Sequence, residues 1–270
     1  MWRRNRRSSR RLVMAGGFAY VVCGVLFSLR IGAQQPPPQP APHPVYPPLF
    51  LRESWKQTGP EHGVNQDILT NPNLELRLYD PSSHEIPTYR QNPPTGSRPS
   101  DWGGPSCIQS AGFNQNPPPA TTPQGNPTDP PNLWTGVCQT PVAATLRDKN
   151  HYVDLTGLAK IRWVTRVSGF HAVRPVVKLA DGTWLVGDHA DGDRSSNSTL
   201  FLDSEFAVAG VHWLQLDIAR VVTRGVWVEK PDLSRVDEVG FADLLPGSGH
   251  GWGGFVNVAR IDVYGTPVAR

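Results

Sequence analysis

The chain has 270 residues, 38% of them hydrophobic, with 28 prolines, 26 glycines and a formal net charge of +3. Eight prolines fall in 34–48 and 16 in 60–141, so the ordered core is weighted toward the C-terminal half; with no heptads, no triplet glycine and one long apolar run, a coiled coil, a long helical bundle, collagen and a polytopic membrane protein are excluded. Seven of the 26 basic residues lie in the first 33, and the remaining 19, set against 23 acidic residues, leave a body too acidic for a nucleic-acid partner.

Arginines at 3, 4, 6, 7, 10 and 11 precede an uncharged run from Leu12 to Leu29, followed by Arg30 and the small pair Gly32 and Ala33. This order of parts predicts an export signal over 1–33. Within it, Ser9-Arg10-Arg11-Leu12-Val13-Met14 resembles the bacterial twin-arginine signal. Cleavage after Ala33 is the expected outcome. Ile31 at the −3 position and an apolar run of 18 residues leave a retained N-terminal membrane anchor as the alternative. Cys23 follows Tyr20-Val21-Val22, without the small residue that lipoprotein processing requires. Residues 34–48 (QQPPPQPAPHPVYPP) predict an extended polyproline tether.

From residue 49 the signals are short and β-like, and no amphipathic helix of three turns appears. Strands are predicted at 49–55, 73–80, 143–148, 159–167, 174–180, 183–188, 211–218, 237–244 and 258–265. Alternation gives each a core face and a wet face. Leu214, Leu216 and Ile218 are expected to point inward, as are Ile261 and Val263. Ala180-Asp181-Gly182-Thr183 predicts a tight turn joining 174–180 and 183–188 as an antiparallel hairpin. Between 73–80 and 143–148 lies an insertion, about 81–132, too poor in apolar residues to bury itself. Cys107 and Cys138 flank its end. In an exported chain they are expected to form a disulfide, with free buried thiols or metal ligation as the competing readings. The sum is an all-β, single-domain antiparallel β-sandwich over 49–270.

VDLTGLAKIRW (153–163), the tryptophan-led VHWLQLDI (211–218), the glycine-bearing VDEVGFADL (236–244) and the closing GGFVNVARIDVYG (253–265) resemble, in that order, galactose-binding-like β-sandwiches (jelly rolls) of the carbohydrate-binding-module and complex I intermediate-associated protein type. The resemblance covers 150–265 well and 49–148 loosely, and implies a sandwich that binds carbohydrate without catalysis. The chain is also similar to secreted proteins of soil bacteria loosely labelled glycoside hydrolases of the laminarinase type. The motif of those enzymes sets two glutamates around an aspartate on one strand. Asp203-Ser204-Glu205 and Asp237-Glu238 both lack the second glutamate, so the enzyme reading is discounted.

A sugar site needs an aromatic ring for the C–H face and polar groups for the hydroxyls. One candidate is His171, Arg174, Lys178, Trp184, Asp188 and His189, where alternation puts Arg174, Val176 and Lys178 on a common face away from the core. The alternative there is a solvated surface with Trp184 packed inward. A second candidate is the glycine-rich loop 246–254 with His250 and Trp252, or else that loop is a flexible turn over the core. Asp188, Asp191 and Asp193 form an acidic loop that in many galactose-binding-like sandwiches would hold a structural Ca²⁺, although the spacing is not an EF-hand and a solvated hairpin tip is the plain reading. No cofactor is required. The histidines form no HExxH or HxH, and Gly247-Ser248-Gly249 lacks the strand-to-helix elbow of a serine nucleophile. The expected partner is a poly- or oligosaccharide. The competing functions are an envelope or periplasmic glycoside hydrolase and an adhesive envelope domain binding a protein.

Overall fold

Strand-forming runs separated by polar turns dominate the body, and they pair as two antiparallel sheets. The computed structural model describes residues 45–56, 62–81, 106–111, 129–136, 138–192, 200–245 and 254–270. The predicted export signal, most of the predicted tether, much of the insertion, Asp193 and the loop bearing His250 and Trp252 lie outside the described residues. The described residues contain no α-helix and belong to one unit.

The first sheet is built on two long strands, β8 (Lys160–Gly169) and β16 (Gly254–Tyr264). Its order is β12 (Leu202–Ala207), β8, β16, β5 (Asn132–Trp134), β4 (Gln109–Ala111), β2 (His62–Gly63). Past β5, the C-terminal half of β16 also pairs β1 (Leu49–Glu53). A register shift between Val258 and Arg260 re-aims β16, so Val256, Val258, Ile261 and Val263 all reach the core.

The second sheet runs β14 (Val222–Val228), β13 (Trp213–Asp217), β10 (Trp184–Gly187), β9 (Ala172–Leu179), β15 (Val236–Asp243), β6 (Val142–Asp148), β3 (Leu74–Tyr79). Three short strands extend it: β11 (Asp191–Gly192) on β9, β7 (His151–Asp154) on β15, and β17 (Thr266–Ala269) on β7. The β9–β10 hairpin forms as expected: Gly182 takes φ +90°, and the Asp181 carboxylate accepts the Thr183 amide at 2.8 Å. Gly240 is needed for a different reason. A methyl there would sit 2.0 Å from the Ala144 carbonyl oxygen, so β15 approaches β6 this closely only because the side chain is absent.

All nine predicted strands are present. Trp163, Trp213 and Phe241 fill the space between the sheets. One face assignment is reversed. Leu214, Leu216 and Ile218 pack on the opposite side of the second sheet, with Ala143, Val176, Val186, Val221 and Ala242. Trp213 has the opposite parity, and its larger ring occupies the core position on β13. The outer face of this sheet is therefore apolar and buried at its centre rather than wet.

Cys107 and Cys138 are disulfide-bonded. They flank β4 and β5, which pair Gln109 with Trp134. Asp80, just after β3, accepts the Cys107 amide at 2.7 Å and the Ser106 hydroxyl at 3.1 Å. Ile108, inside the insertion, is fully buried, so this part of it contributes to the core.

Candidate functional site

Strand register places three rows of side chains across the outer face of the second sheet. Trp184 lies opposite Lys178, and Lys178 opposite Glu238. The next row runs Trp227, Leu214, Val186, Val176, Gly240, Thr145, Arg77. The third runs Arg174, Ala242, Ala143, Tyr79. The sequence-predicted residues Arg174, Lys178 and Trp184 thus share this face with Asp188, and Trp184 packs, half-buried, on the apolar cluster of this outer face rather than between the sheets.

The face is concave. Tyr79 and Trp184 stand four strands apart and four residues apart along the strand direction, roughly 23 Å in a flat sheet. Their ring centroids nonetheless meet edge to face at 4.9 Å. Only a sheet that curls toward this side brings them together.

Beneath the two rings, Glu238 is fully buried and every oxygen is engaged. Oε2 accepts from the Tyr79 hydroxyl at 2.8 Å and the Thr145 hydroxyl at 2.6 Å, while Oε1 faces Lys178 Nζ at 3.1 Å and Arg77 at 3.5 Å. Burial and the Glu238 charge push the Tyr79 phenol well above its ordinary range, so it stays protonated and donates. Asp237 next to it is bound by Arg147 at 3.0 Å and by Arg270 at 2.5 Å, with Lys178 at 3.4 Å. Lys178 also lies 5.7 Å over the Trp184 ring, a cation–π contact that orients both. This end of the face is a rigid, self-satisfied network.

The opposite end is open. Trp227 is 57% exposed. The His212 side chain, 78% exposed, holds the Asp188 carboxylate through its ring nitrogen at 2.8 Å and its backbone amide at 2.9 Å. Burial works against the Asp188 charge, but these His212 hydrogen bonds overcome it and hold the carboxyl below its usual range. The rings of His212 and Trp227 sit edge to face at 6.4 Å.

Two predicted members lie elsewhere. His171 is buried, its Nδ1 2.8 Å from Asp243 Oδ2, and that carboxylate also accepts the Thr135 hydroxyl at 2.7 Å. It ties the second sheet to the chain just beyond β5. Residue 171 has the inward parity of Val173 and Val177, opposite to Arg174 and Lys178, which accounts for the difference. His189, opposite in parity to Asp188, stacks on Phe206 at 4.0 Å. His250 and Trp252 lie outside the described residues.

The acidic trio does not converge among the described residues. Asp188 is engaged by His212, whereas Asp191 accepts from the Trp163 indole and the Ser204 hydroxyl. Asp193 lies outside the described residues, and no group of three His, Cys, Asp or Glu among those described is placed to hold a metal ion.

Sequence reasoning missed Tyr79, His212, Trp227 and Glu238 as parts of this face. Tyr79 closes a correctly predicted strand, and its outward position follows once that strand's neighbours are known. Trp227 lies in VTRGVWV, where Gly225 at φ +69° interrupts the alternation that would have marked a strand.

Neither a protein-family model nor a curated protein matches the chain. Among solved structures it is similar to an exo-beta-agarase at 10% identity and a TM-score of 0.31, over 54% of this chain and 21% of that one. It is also similar to the Emp47p carbohydrate recognition domain at 10% identity and a TM-score of 0.30, over 51% of this chain and 84% of that one. The chain thus spans about a fifth of the length of the agarase.

Proposed function

We propose that this chain is an exported carbohydrate-binding module of galactose-binding-like type that holds its ligand against the curled outer face of the second sheet without cleaving it. The observation that carries the reading is the placement of Trp184 and Trp227 on the same outer face as Arg174, Asp188 and His212. Flat rings supply partners for sugar C–H faces, and the charged and imidazole groups supply hydrogen bonds to hydroxyls. The resemblance in 150–265 agrees with it, as do the signal-like N-terminus and the Cys107–Cys138 disulfide, a bond that persists outside the cytoplasm.

Catalysis by a paired-carboxylate route is disfavoured at the closed end, because Glu238 is sealed from solvent and both its oxygens are held by internal donors. Polysaccharide pull-down with the full chain beside Trp184→Ala and Trp227→Ala, following reducing-sugar release in the same samples, tests the proposal. Retention by the wild type, weakened in both variants and without sugar release, is the expected result. Release would make the chain a hydrolase, and failure to retain any glycan would leave a protein-binding envelope domain.

A further inference from the structure

Among the described residues of the curled face, each carboxylate already has its cation or imidazole, and one cation has no carboxylate. Glu75 is bound by Arg77 and Arg147, Asp237 by Arg147 and Arg270, Glu238 by Lys178 and Arg77, and Asp188 by His212. Arg174 is the exception among the described residues of this face. Its guanidinium reaches only the Gly187 and Asp188 carbonyl oxygens, at 3.4 and 3.5 Å, long for hydrogen bonds. The Asp188 carboxylate beside it is turned to His212 and does not pair with it.

Arg174 is half-buried and flanked in its row by Ala242, a side chain too short to cover it. A partly desolvated guanidinium keeps its charge and offers a planar fork that matches a carboxylate or sulfate oxygen pair. From this we infer that the ligand is an anionic polysaccharide, one bearing uronate carboxylates or sulfate esters, and that Arg174 is the residue that binds the anionic group. The inference rests on the carbohydrate-binding reading and adds the ligand's charge to it.

The test is affinity electrophoresis of the full chain in gels containing polygalacturonate, its carboxyl-reduced counterpart, a sulfated galactan or the same galactan after desulfation. Wild type, Trp184→Ala, Arg174→Gln and Arg174→Lys are run side by side, with thermal melts to verify folding. Retention by at least one anionic polymer is expected to exceed that by its neutral counterpart by about tenfold or more, the range of a charge-assisted hydrogen bond. Which arm responds identifies carboxylate or sulfate. Arg174→Gln is expected to abolish that difference and Arg174→Lys to restore only part of it, since an ammonium has no fork. Equal retention of charged and neutral polymers, weakened by Trp184→Ala but indifferent to Arg174, would overturn this inference and leave the binding-module reading standing. No retention on any polymer would overturn both.

Discussion

Glu238 is the residue on which the closed end of the curled face depends. Four side chains from β3, β6 and β9 converge on its carboxylate, and removing it leaves Lys178 and Arg77 partly buried beside unpaired hydroxyls. Breaking one side of such a network is expected to cost roughly 3 kcal/mol. Glu238→Ala should therefore lower the urea midpoint substantially and, by freeing Tyr79 from Trp184, weaken glycan retention as well; an unchanged midpoint would contradict this role. Asp237 makes a second prediction. Burial alone would raise its pKa, but the Arg270 and Arg147 hydrogen bonds more than offset that, and the carboxyl lies below its ordinary range. Its contribution to stability is present above the unfolded-state value of about 4 and is lost as the pH falls through the lower folded value. The melting-temperature gap between wild type and Asp237→Asn should thus narrow on going from about pH 5 to about pH 2. A gap that stays constant would remove Asp237 from the acid response. At this scale the sequence was partly legible. Parity alone puts Arg174, Val176 and Lys178 together, and the same parity, applied consistently, takes His171 and His189 to the other side. Glu238 was not legible, because its partner Tyr79 is 159 residues away and only the order of strands in the sheet brings the two together.

Strands with one apolar face were readable from alternation, and the strands that escaped notice are stabilised in other ways. β12 reads Leu-Asp-Ser-Glu-Phe-Ala and is held to β8 by cross-strand ion pairs, Arg162 with Asp203 and Lys160 with Glu205. β4 and β5 are three residues each, too short for any periodic signal, and the disulfide beside them supplies what length does not. Replacing both Cys107 and Cys138 with serine is expected to destabilise the protein by about 3.7 kcal/mol, the chain-entropy value for cysteines 31 residues apart. The measurement is a thermal melt of the double variant and of the wild type in reductant. A variant as stable as the oxidised wild type would show that β4 and β5 are held by packing alone. Gly240 offers a sharper probe of the β15–β6 contact. An added methyl meets backbone, which cannot rotate away, so Gly240→Ala should cost about 1–3 kcal/mol or prevent folding.

At the scale of the whole molecule, the two faces of the second sheet do different work. The inner face carries Trp213, Val177 and Phe241 into the core, and the outer face carries a second apolar cluster ringed by Tyr79, Trp184 and Leu214. That outer face has an ion-paired end at Glu238 and Lys178 and an exposed end at Trp227 and His212. Composition could announce a sandwich but not which sheet curls, since curling follows from twist accumulated over seven strands. Oxidative footprinting of tryptophans, read by mass spectrometry with and without a retained polysaccharide, tests whether sugar lies on this outer face. Trp227 is expected to be oxidised readily in the free protein and Trp184 more slowly, with both protected by ligand, while Trp163 and Trp213 resist oxidation throughout. Equal oxidation of Trp227 and Trp184 in the presence and absence of a bound polysaccharide would contradict this and place the ligand elsewhere.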